Sequence, residues 1–414
     1  MADPADTRSA VHDPAAVLDG EAMELNPYSY AFHEDPYPTY RWLRDHAPVY
    51  RNDTIDFWAL SRFDDVLAAS LDHQTYSSAK GTVLEIDPAF IDMVPMIIFM
   101  DPPRQTRLRR LVSKAFTPAR IAALEPLIRR IAVELLDELV PARHCDFIAD
   151  FAARLPIEVI STMIGVPPAD RAEIRELTDA SLTRDADDPG MPRAALEANA
   201  KLSQYFFRLA TEKRARPGDD MISLLAHTGF TDDDGTTQQL SDVELTGFCS
   251  LLSAAGNETV TKLLGNAAVL LARHPDQRQR LVDDAGVIPN AVEEILRYWP
   301  PSQYQGRTLT RDVTLHGTTI PRDARVILLT GAACHDERAF ADPDRFDVGR
   351  DVSVQLALGH GAHKCLGAAL ARLEGRVALE ELHAHIPDYR IDESSCTRVH
   401  MSNVHGFASV PMQW

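Results

Sequence analysis

One of the five cysteines in the chain lies in a segment whose neighbours suit metal binding. Cys365 stands between Gly361 and Gly367, beside the cation Lys364, and directly before an apolar pattern that predicts a helix. Backbone N–H groups and the positive end of a helix favour a thiolate, which is a soft metal ligand. Glycines let the backbone approach a flat ligand without a Cβ in the way. The segment therefore predicts a thiolate that binds a metal.

A zinc site is the alternative at this segment, with His360, His363 and Cys365 as ligands. No CxxC or HxxxH pair elsewhere in the chain completes such a site. The five cysteines form an odd and sparse set, which argues against a disulfide framework and for a reducing compartment.

A second candidate for chemistry lies in the middle of a long apolar helix. Ser241 and Glu244 have capping-box spacing, and no proline follows until Pro275, so the sequence predicts a helix of about 33 residues, roughly 50 Å long. Its residues are apolar almost all round, which places it in the core. Glu258 and Thr259 interrupt this pattern with an acid and a hydroxyl.

These two polar residues conflict with a buried setting. The preceding Gly256 weakens a helix interior by about 1 kcal/mol, and an unpaired buried carboxylate costs several more. The sequence therefore indicates a local opening for a small ligand, with Glu258 and Thr259 supplying protons. The alternative is that Glu258 is paired with an arginine or reaches solvent.

The elements around these segments predict a mainly α protein with a small β region. Helical periodicity dominates residues 104–280, short strand-like pieces follow over 311–330, and a last helix covers 366–385. Residues 1–25 are expected to be a loose arm and residues 26–414 a single domain. The net charge of −19 disfavours nucleic acid and anionic membranes as partners. No stretch is long enough to span a membrane, and the N-terminus has no signal pattern, so a cytoplasmic protein is expected.

Taken together, these segments resemble a bacterial cytochrome P450 over nearly the whole chain. The family's Phe-x-x-Gly-x-His/Arg-x-Cys-x-Gly pattern reads here as residues 358–367, with Leu358 where phenylalanine is usual. The family's Ala-Gly-x-Asp/Glu-Thr pattern reads as residues 255–259. The resemblance implies the cytochrome P450 fold, with haem between the long central helix and the helix after the cysteine loop.

The resemblance also implies a structural triad. Glu294 and Arg297 match the family's Glu-x-x-Arg pattern, and Arg345 is expected as the third member. These residues would hold the irregular segment before the cysteine loop in place.

Roles at the haem b cofactor follow from the same resemblance. Cys365 resembles the iron ligand, while Glu258 and Thr259 resemble the acid–alcohol pair that delivers protons during oxygen activation. The residues expected to touch the haem are Gln105, Arg109, Arg307, Leu358, Gly361, His363 and Cys365. Arg109, Arg307 and His363 are the expected propionate contacts, with Gln105 where the family often has histidine.

A basic segment indicates a protein partner. Residues 104–120 contain six basic residues and no acid, in a strongly acidic chain. Arg110, Lys114, Lys364 and Arg372 are expected on one face, where an acidic ferredoxin or flavodoxin would dock. We expect the protein to be a monomer.

The substrate pocket is expected to be mostly apolar with two polar residues. Its predicted lining is Val94, Ile97, Ile98, Leu251, Ala254, Ala255, Gln303, Tyr304 and Val404. This composition favours a lipophilic substrate such as a steroid, terpenoid, fatty acid or polyketide.

The resulting hypothesis is a haem-thiolate monooxygenase that hydroxylates or epoxidises such a molecule with electrons from a ferredoxin system. The alternatives are a peroxide-driven haem-thiolate enzyme and a haem-based sensor or binding protein. The Glu258–Thr259 pair argues against both, because peroxide-driven haem-thiolate enzymes often lack it and a binding protein has no use for delivered protons.

Overall fold

The computed structural model describes residues 23–86, 91, 95–182, 192–231 and 235–414. The arm predicted over residues 1–25 lies outside the described residues except for its last three. Of these, Leu25 is fully buried, its N–H donates to the Tyr50 hydroxyl (3.3 Å), and its carbonyl accepts from Asn52 Nδ2 (3.0 Å). Leu25 therefore belongs to the packed structure and not to a loose arm.

Helices make up most of the described chain, which confirms the prediction of a mainly α protein. Helices α1 to α15 span, in chain order, Tyr30–Glu34, Tyr37–His46, Phe63–Leu71, Arg104–Val112, Pro118–Ala122, Glu125–Leu139, Arg154–Ile164, Arg171–Leu182, Arg193–Ala215, Met221–His227, Asp242–Arg273, Pro275–Asp283, Ile288–Tyr298, Thr330–Ala333 and Ala368–His385. Within the described ranges, no helix combines the length and the apolar character needed to cross a membrane.

The long central helix is α11. At its start, the Ser241 hydroxyl accepts from the Glu244 N–H (3.2 Å), and the Glu244 carboxylate accepts from the Ser241 N–H (3.0 Å). It ends at Arg273, with His274 as its C-cap before Pro275, and packs against α7, α9 and α15 in the largest buried cluster. The helix is continuous through Gly256, so the expected local opening is wrong. Gly256 packs against Ile160 of α7, where an added Cβ would lie 3.1 Å from a side-chain carbon.

The strands of the described residues form five small sheets. Strands β1 to β14 span Val49–Asn52, Phe57–Leu60, Tyr76–Ser77, His144–Asp146, Gly229–Thr231, Thr237–Gln239, Gln305–Leu309, Val313–Leu315, Thr318–Ile320, Arg325–Leu328, Arg390–Ile391, Thr397–Arg398, Phe407–Ser409 and Pro411–Gln413. The largest sheet has the order β1-β2-β10-β7-β3, with β10 parallel to β2 and antiparallel to β7. Because side chains alternate along a strand, β7 presents Gln305 and Arg307 on the same face.

A buried ion network ties α13 to the irregular segment before the cysteine loop. Arg297 and Glu294 are both fully buried, and two hydrogen bonds of 2.7 and 2.9 Å join them. The third member is Arg350, whose Nε donates to Glu294 Oε1 (3.2 Å). The expectation of Arg345 was wrong, since its side chain is 66% exposed and its nearest carboxylate is that of Asp347, 3.9 Å away.

Candidate active site

A cavity lies between α4, α11, β7 and the loop that carries Cys365. Most of the residues predicted to act at one site share its wall. Those that line it are Ile97, Ile98, Gln105, Arg109, Leu251, Ala255, Thr259, Arg307, Leu358, His363 and Cys365. These residues come from positions up to 268 apart in sequence, and the fold brings them to one place.

The cysteine loop is closed by a backbone bond. The Cys365 N–H donates to the Leu358 carbonyl (2.8 Å), so Leu358 stands directly against the cysteine. Gly361 has a φ of +68°, which favours glycine, and an added Cβ would lie 2.5 Å from the Ser70 carbonyl oxygen of α3. The close approach at Gly361 is thus to a helix, whereas Gly367 lines the cavity.

Two opposing influences act on the Cys365 thiol. The Cys365 side chain is exposed to the cavity, yet desolvation by the surrounding protein raises its pKa, while the Gly367 N–H and the cations of Arg109 and Arg372 lower it. The expected stabilisation of a thiolate is therefore present, but burial outweighs it in the protein alone. A bound metal ion would supply the missing positive charge, because thiolate ligation and deprotonation are coupled.

Two arginines line the cavity without a carboxylate partner in the described part of the chain. Burial lowers the pKa of Arg307 to about 10, although Asp101 acts in the opposite direction. Burial likewise lowers the pKa of Arg109. A buried guanidinium stays charged and is costly unless an anion pairs with it, so this wall fits an anionic ligand.

His363 and Gln105 adjoin these arginines. His363 Nε2 is buried and has no hydrogen-bond partner within the described ranges, and burial followed by Arg307 lowers the pKa of His363 to about 4. A neutral imidazole can still donate a hydrogen bond to an anionic oxygen. Gln105 differs, since its Nε2 already donates to the Ala362 carbonyl (2.6 Å) and ties α4 to the cysteine loop.

The acid and the alcohol of α11 face different surroundings. Thr259 lines the cavity, and its hydroxyl donates to the Ala255 carbonyl (2.8 Å), one turn earlier. Glu258 is outside the cavity wall and is paired with Lys262, whose Nζ lies 3.1 Å from Glu258 Oε1. The alternative reading of Glu258 as a paired residue is correct in part, with a lysine in place of an arginine.

Other predicted pocket residues lie elsewhere. Gln303 is buried and donates to the Pro300 carbonyl (2.7 Å), while the Tyr304 hydroxyl bonds with Ser402 Oγ (2.8 Å). Neither residue lines the cavity, nor do Ala254 and Val404. Val94 lies outside the described residues.

Several lining residues were missed from the sequence. Phe248 could have been found, because it lies one turn before Leu251 and Leu252 on the apolar face of α11. Phe116, Thr82, Ser302 and Gln305 carry no local signal. Glu374 of α15 also lines the cavity, and its burial raises the pKa of its carboxyl to about 8.

The four cations predicted on one face differ in their contacts. Arg372 makes a bidentate pair with Glu293, at 2.5 and 3.0 Å. Lys114 Nζ donates to the Gly229 carbonyl (2.8 Å), and Lys364 and Arg110 are exposed. The charge of Arg372 is therefore largely neutralised by its own neighbour.

Comparisons with known proteins identify the family. A family model described as Cytochrome P450 matches residues 286–384. Cytochrome P450 130 of Mycobacterium tuberculosis is 40% identical over 388 residues, which is 92% of this chain and 95% of that protein. The chain belongs to the cytochrome P450 family. It is a cytochrome P450 monooxygenase whose cofactor is haem b.

Two further relatives add to the comparison. The protein named vitamin D(3) 25-hydroxylase, from Pseudonocardia autotrophica, is 39% identical over 366 residues, covering 87% of this chain and 89% of that protein. The crystal structure of CYP109E1 from Bacillus megaterium in complex with corticosterone has a TM-score of 0.82. It is 32% identical and covers 92% of this chain and 99% of that one.

The residues of this cavity fit haem. It offers the Cys365 sulfur as an iron ligand, apolar walls, and two guanidinium groups for the haem propionates. His363 adds an imidazole nitrogen that has no hydrogen-bond partner among the described residues. The zinc alternative does not fit, since no group of three His, Cys, Asp or Glu side chains in the described ranges could hold a metal ion.

Proposed function

We propose that this cytochrome P450 inserts one oxygen atom into a steroid-like lipophilic molecule, using electrons from a ferredoxin or flavodoxin. The observation that carries the proposal is the cavity, which Thr259 and apolar side chains of α11 line together with Cys365 and two arginines that have no carboxylate partner among the described residues. A similar protein is named a vitamin D(3) hydroxylase, and a similar structure contains corticosterone.

Haem, when bound, would supply the redox-active iron that activates dioxygen. Cys365 would ligate the iron, and Arg109, Arg307 and His363 would bind the propionates. Ile97, Ile98 and Leu251 would exclude water from the substrate and orient it through apolar contact. Ser302 and Gln305, which are hydrogen-bonded to each other (2.7 Å), give the wall a polar point for a substrate hydroxyl or ketone.

Proton delivery would use Thr259 and Glu258. The Thr259 hydroxyl faces the cavity, so it would pass its proton inward and accept another in exchange. Glu258 lies next to it in sequence with a side chain that is 19% exposed, so its carboxyl would take up protons from water.

A screen of steroids for a shift of the Soret band, followed by turnover with a surrogate reductase, tests the substrate class. We expect hydroxylated product from at least one steroid that shifts the band. The steroid class is rejected if no steroid shifts the Soret band or is turned over while fatty acids are turned over.

The Thr259→Ala variant tests proton delivery. We expect NADH consumption to continue while product per NADH falls and hydrogen peroxide appears. Thr261→Ala is the matched control, because Thr261 lies on the same helix but bonds to Ala152 and Asn257 carbonyls. Fully coupled turnover in Thr259→Ala would contradict the role, and efficient turnover with peroxide alone would favour the peroxide-driven alternative.

Charge reversal tests the redox partner surface. Arg110→Glu and Lys114→Glu should slow electron transfer from an acidic ferredoxin and weaken its dependence on salt. Arg193→Glu, at a side chain that is 93% exposed on α9, is the control. Equal slowing by the control would show a general charge effect and not a docking surface.

A further inference from the structure

Lys262 is a buried cation of α11 that has no place in the roles assigned so far. Its side chain is 6% exposed, and its Nζ donates to the Phe407 carbonyl (3.0 Å) while lying 3.1 Å from Glu258 Oε1. A Cβ added at Gly406 would lie 2.8–3.0 Å from three carbons of the Lys262 side chain. The hairpin of β12 and β13 therefore packs directly on the stem of Lys262.

Glu258 is held between opposite charges. Asp179 of α8 is a neighbouring acid, since burial and then the Glu258 charge raise the pKa of Asp179, while Arg175 and Lys262 lower it. Lys262 attracts Glu258 from its own helix, one turn further on. A glutamate side chain alone has several rotamers of similar energy, and a partly buried ion pair reduces that freedom.

The geometry points to Lys262 as a positioning residue for proton delivery. We propose that Lys262 holds the Glu258 carboxyl on the flank of α11, where it meets outside water. Glu258 and Thr259 face different surroundings, so water would carry each proton from the Glu258 carboxyl to the Thr259 hydroxyl. Each proton that Thr259 passes on is matched by the one that it accepts, and outside water restores the proton on Glu258. This inference rests on the proton-delivery role proposed for Glu258.

Four forms of the holoenzyme test it: wild type, Glu258→Gln, Lys262→Met and the double variant. We expect Lys262→Met to lower product per NADH by about tenfold, part of the hundredfold that a 1 Å misplacement can cost. Because Lys262 acts through Glu258, the double variant should be no worse than Glu258→Gln alone. The Soret shift with substrate should be unchanged, since Lys262 does not line the cavity.

A second readout does not depend on turnover. Carbodiimide labelling followed by mass spectrometry reports how accessible the Glu258 carboxylate is. Labelling of Glu258 should rise several-fold in Lys262→Met and return toward the wild-type value in Lys262→Arg, which keeps the cation. The matched control is Lys213→Met, which breaks another partly buried pair, with Asp220 (2.7 Å), and should leave Glu258 labelling unchanged.

The outcomes separate two ideas. If Glu258→Gln keeps full coupling, the proposed role of Glu258 fails. If Glu258→Gln uncouples but Lys262→Met does not, only the role of Lys262 fails. The role of Lys262 is also rejected if the fold-losses of the two single variants multiply in the double variant, or if Glu258 labelling is unchanged in Lys262→Met. If Lys262→Met loses its haem, the test rests on Lys262→Arg and on the labelling of Glu258 in that variant. Uncoupling in Lys262→Arg as severe as in Glu258→Gln would then overturn the proposal.

Discussion

Arg297 and Arg307 are ten residues apart and almost equally buried, yet their surroundings are opposite. Arg297 is fully buried and forms two hydrogen bonds with the Glu294 carboxylate. Arg307 is 6% exposed, and its Nη1 donates a hydrogen bond to the carbonyl of its own neighbour, Gly306 (2.6 Å). One arginine has its anion within the chain, and the other faces a cavity that can receive one.

The difference separates a structural cation from a ligand-binding one. A buried charge costs several kcal/mol unless it is paired, so an unpaired arginine at a cavity wall is a signal for an external anion. Burial alone would have ranked the two residues together. The presence or absence of a carboxylate partner distinguishes them.

The largest expected effect is at the paired arginine. Glu294→Gln leaves Arg297 buried without its carboxylate and should lower the free energy of unfolding by about 3–5 kcal/mol. Urea unfolding followed by circular dichroism measures this loss. Glu197→Gln, in an exposed pair with Arg193, is the control and should change stability by less than about 1 kcal/mol. A loss below that value at Glu294 would break the comparison.

His383 is a buried base that, unlike the two arginines, can lose its charge. Its Nε2 has no hydrogen-bond partner among the residues that the structure describes, and burial lowers the pKa of His383 to about 4. Because the unfolded chain binds the proton more tightly, stability is fully present above about pH 6.5 and is lost as pH falls toward 4. His383→Phe should shrink the stability difference between pH 7 and pH 4.5 by about 2–3 kcal/mol. An unchanged pH profile in unfolding experiments would contradict this.

Arg307→Met should act mainly on the bound form. We expect haem dissociation to become about tenfold faster, as for the loss of one charge-assisted hydrogen bond of about 1.5 kcal/mol. The haem-free protein should be as stable as wild type or more so, because an unpaired charge is removed. Arg311→Met, at a side chain that is 71% exposed, is the control. Equal destabilisation of the haem-free protein would make Arg307 a structural residue like Arg297.

The smallest effect compares two arginines near Glu294. Arg350→Gln should lower the free energy of unfolding by about 1–2 kcal/mol, because its Nε bond to Glu294 is mostly buried. Arg345→Gln should change it by less than about 0.5 kcal/mol. The reverse order in thermal unfolding would restore Arg345 as the third member of the network.

Local patterns in the sequence predicted a good part of this molecule. The capping box at Ser241, the length of α11 and the loop around Cys365 all follow from residues a few positions apart. Contacts between segments far apart in the chain could not be predicted from such local patterns. The choice of Arg350 over Arg345 depends on how the chain turns after α14, and the Lys262–Phe407 bond joins residues 145 apart. The opening expected at Gly256 failed because packing on Ile160 supports the helix there.

The capping box of α11 has one further consequence. The Glu244 carboxylate that accepts from the Ser241 N–H is also paired with Arg107 of α4. The Glu244 carboxylate thus joins the first turn of α11 to α4. An acidic protein that bound Arg107 would weaken this ion pair. Its binding would then loosen the first turn of α11, the helix that carries Thr259.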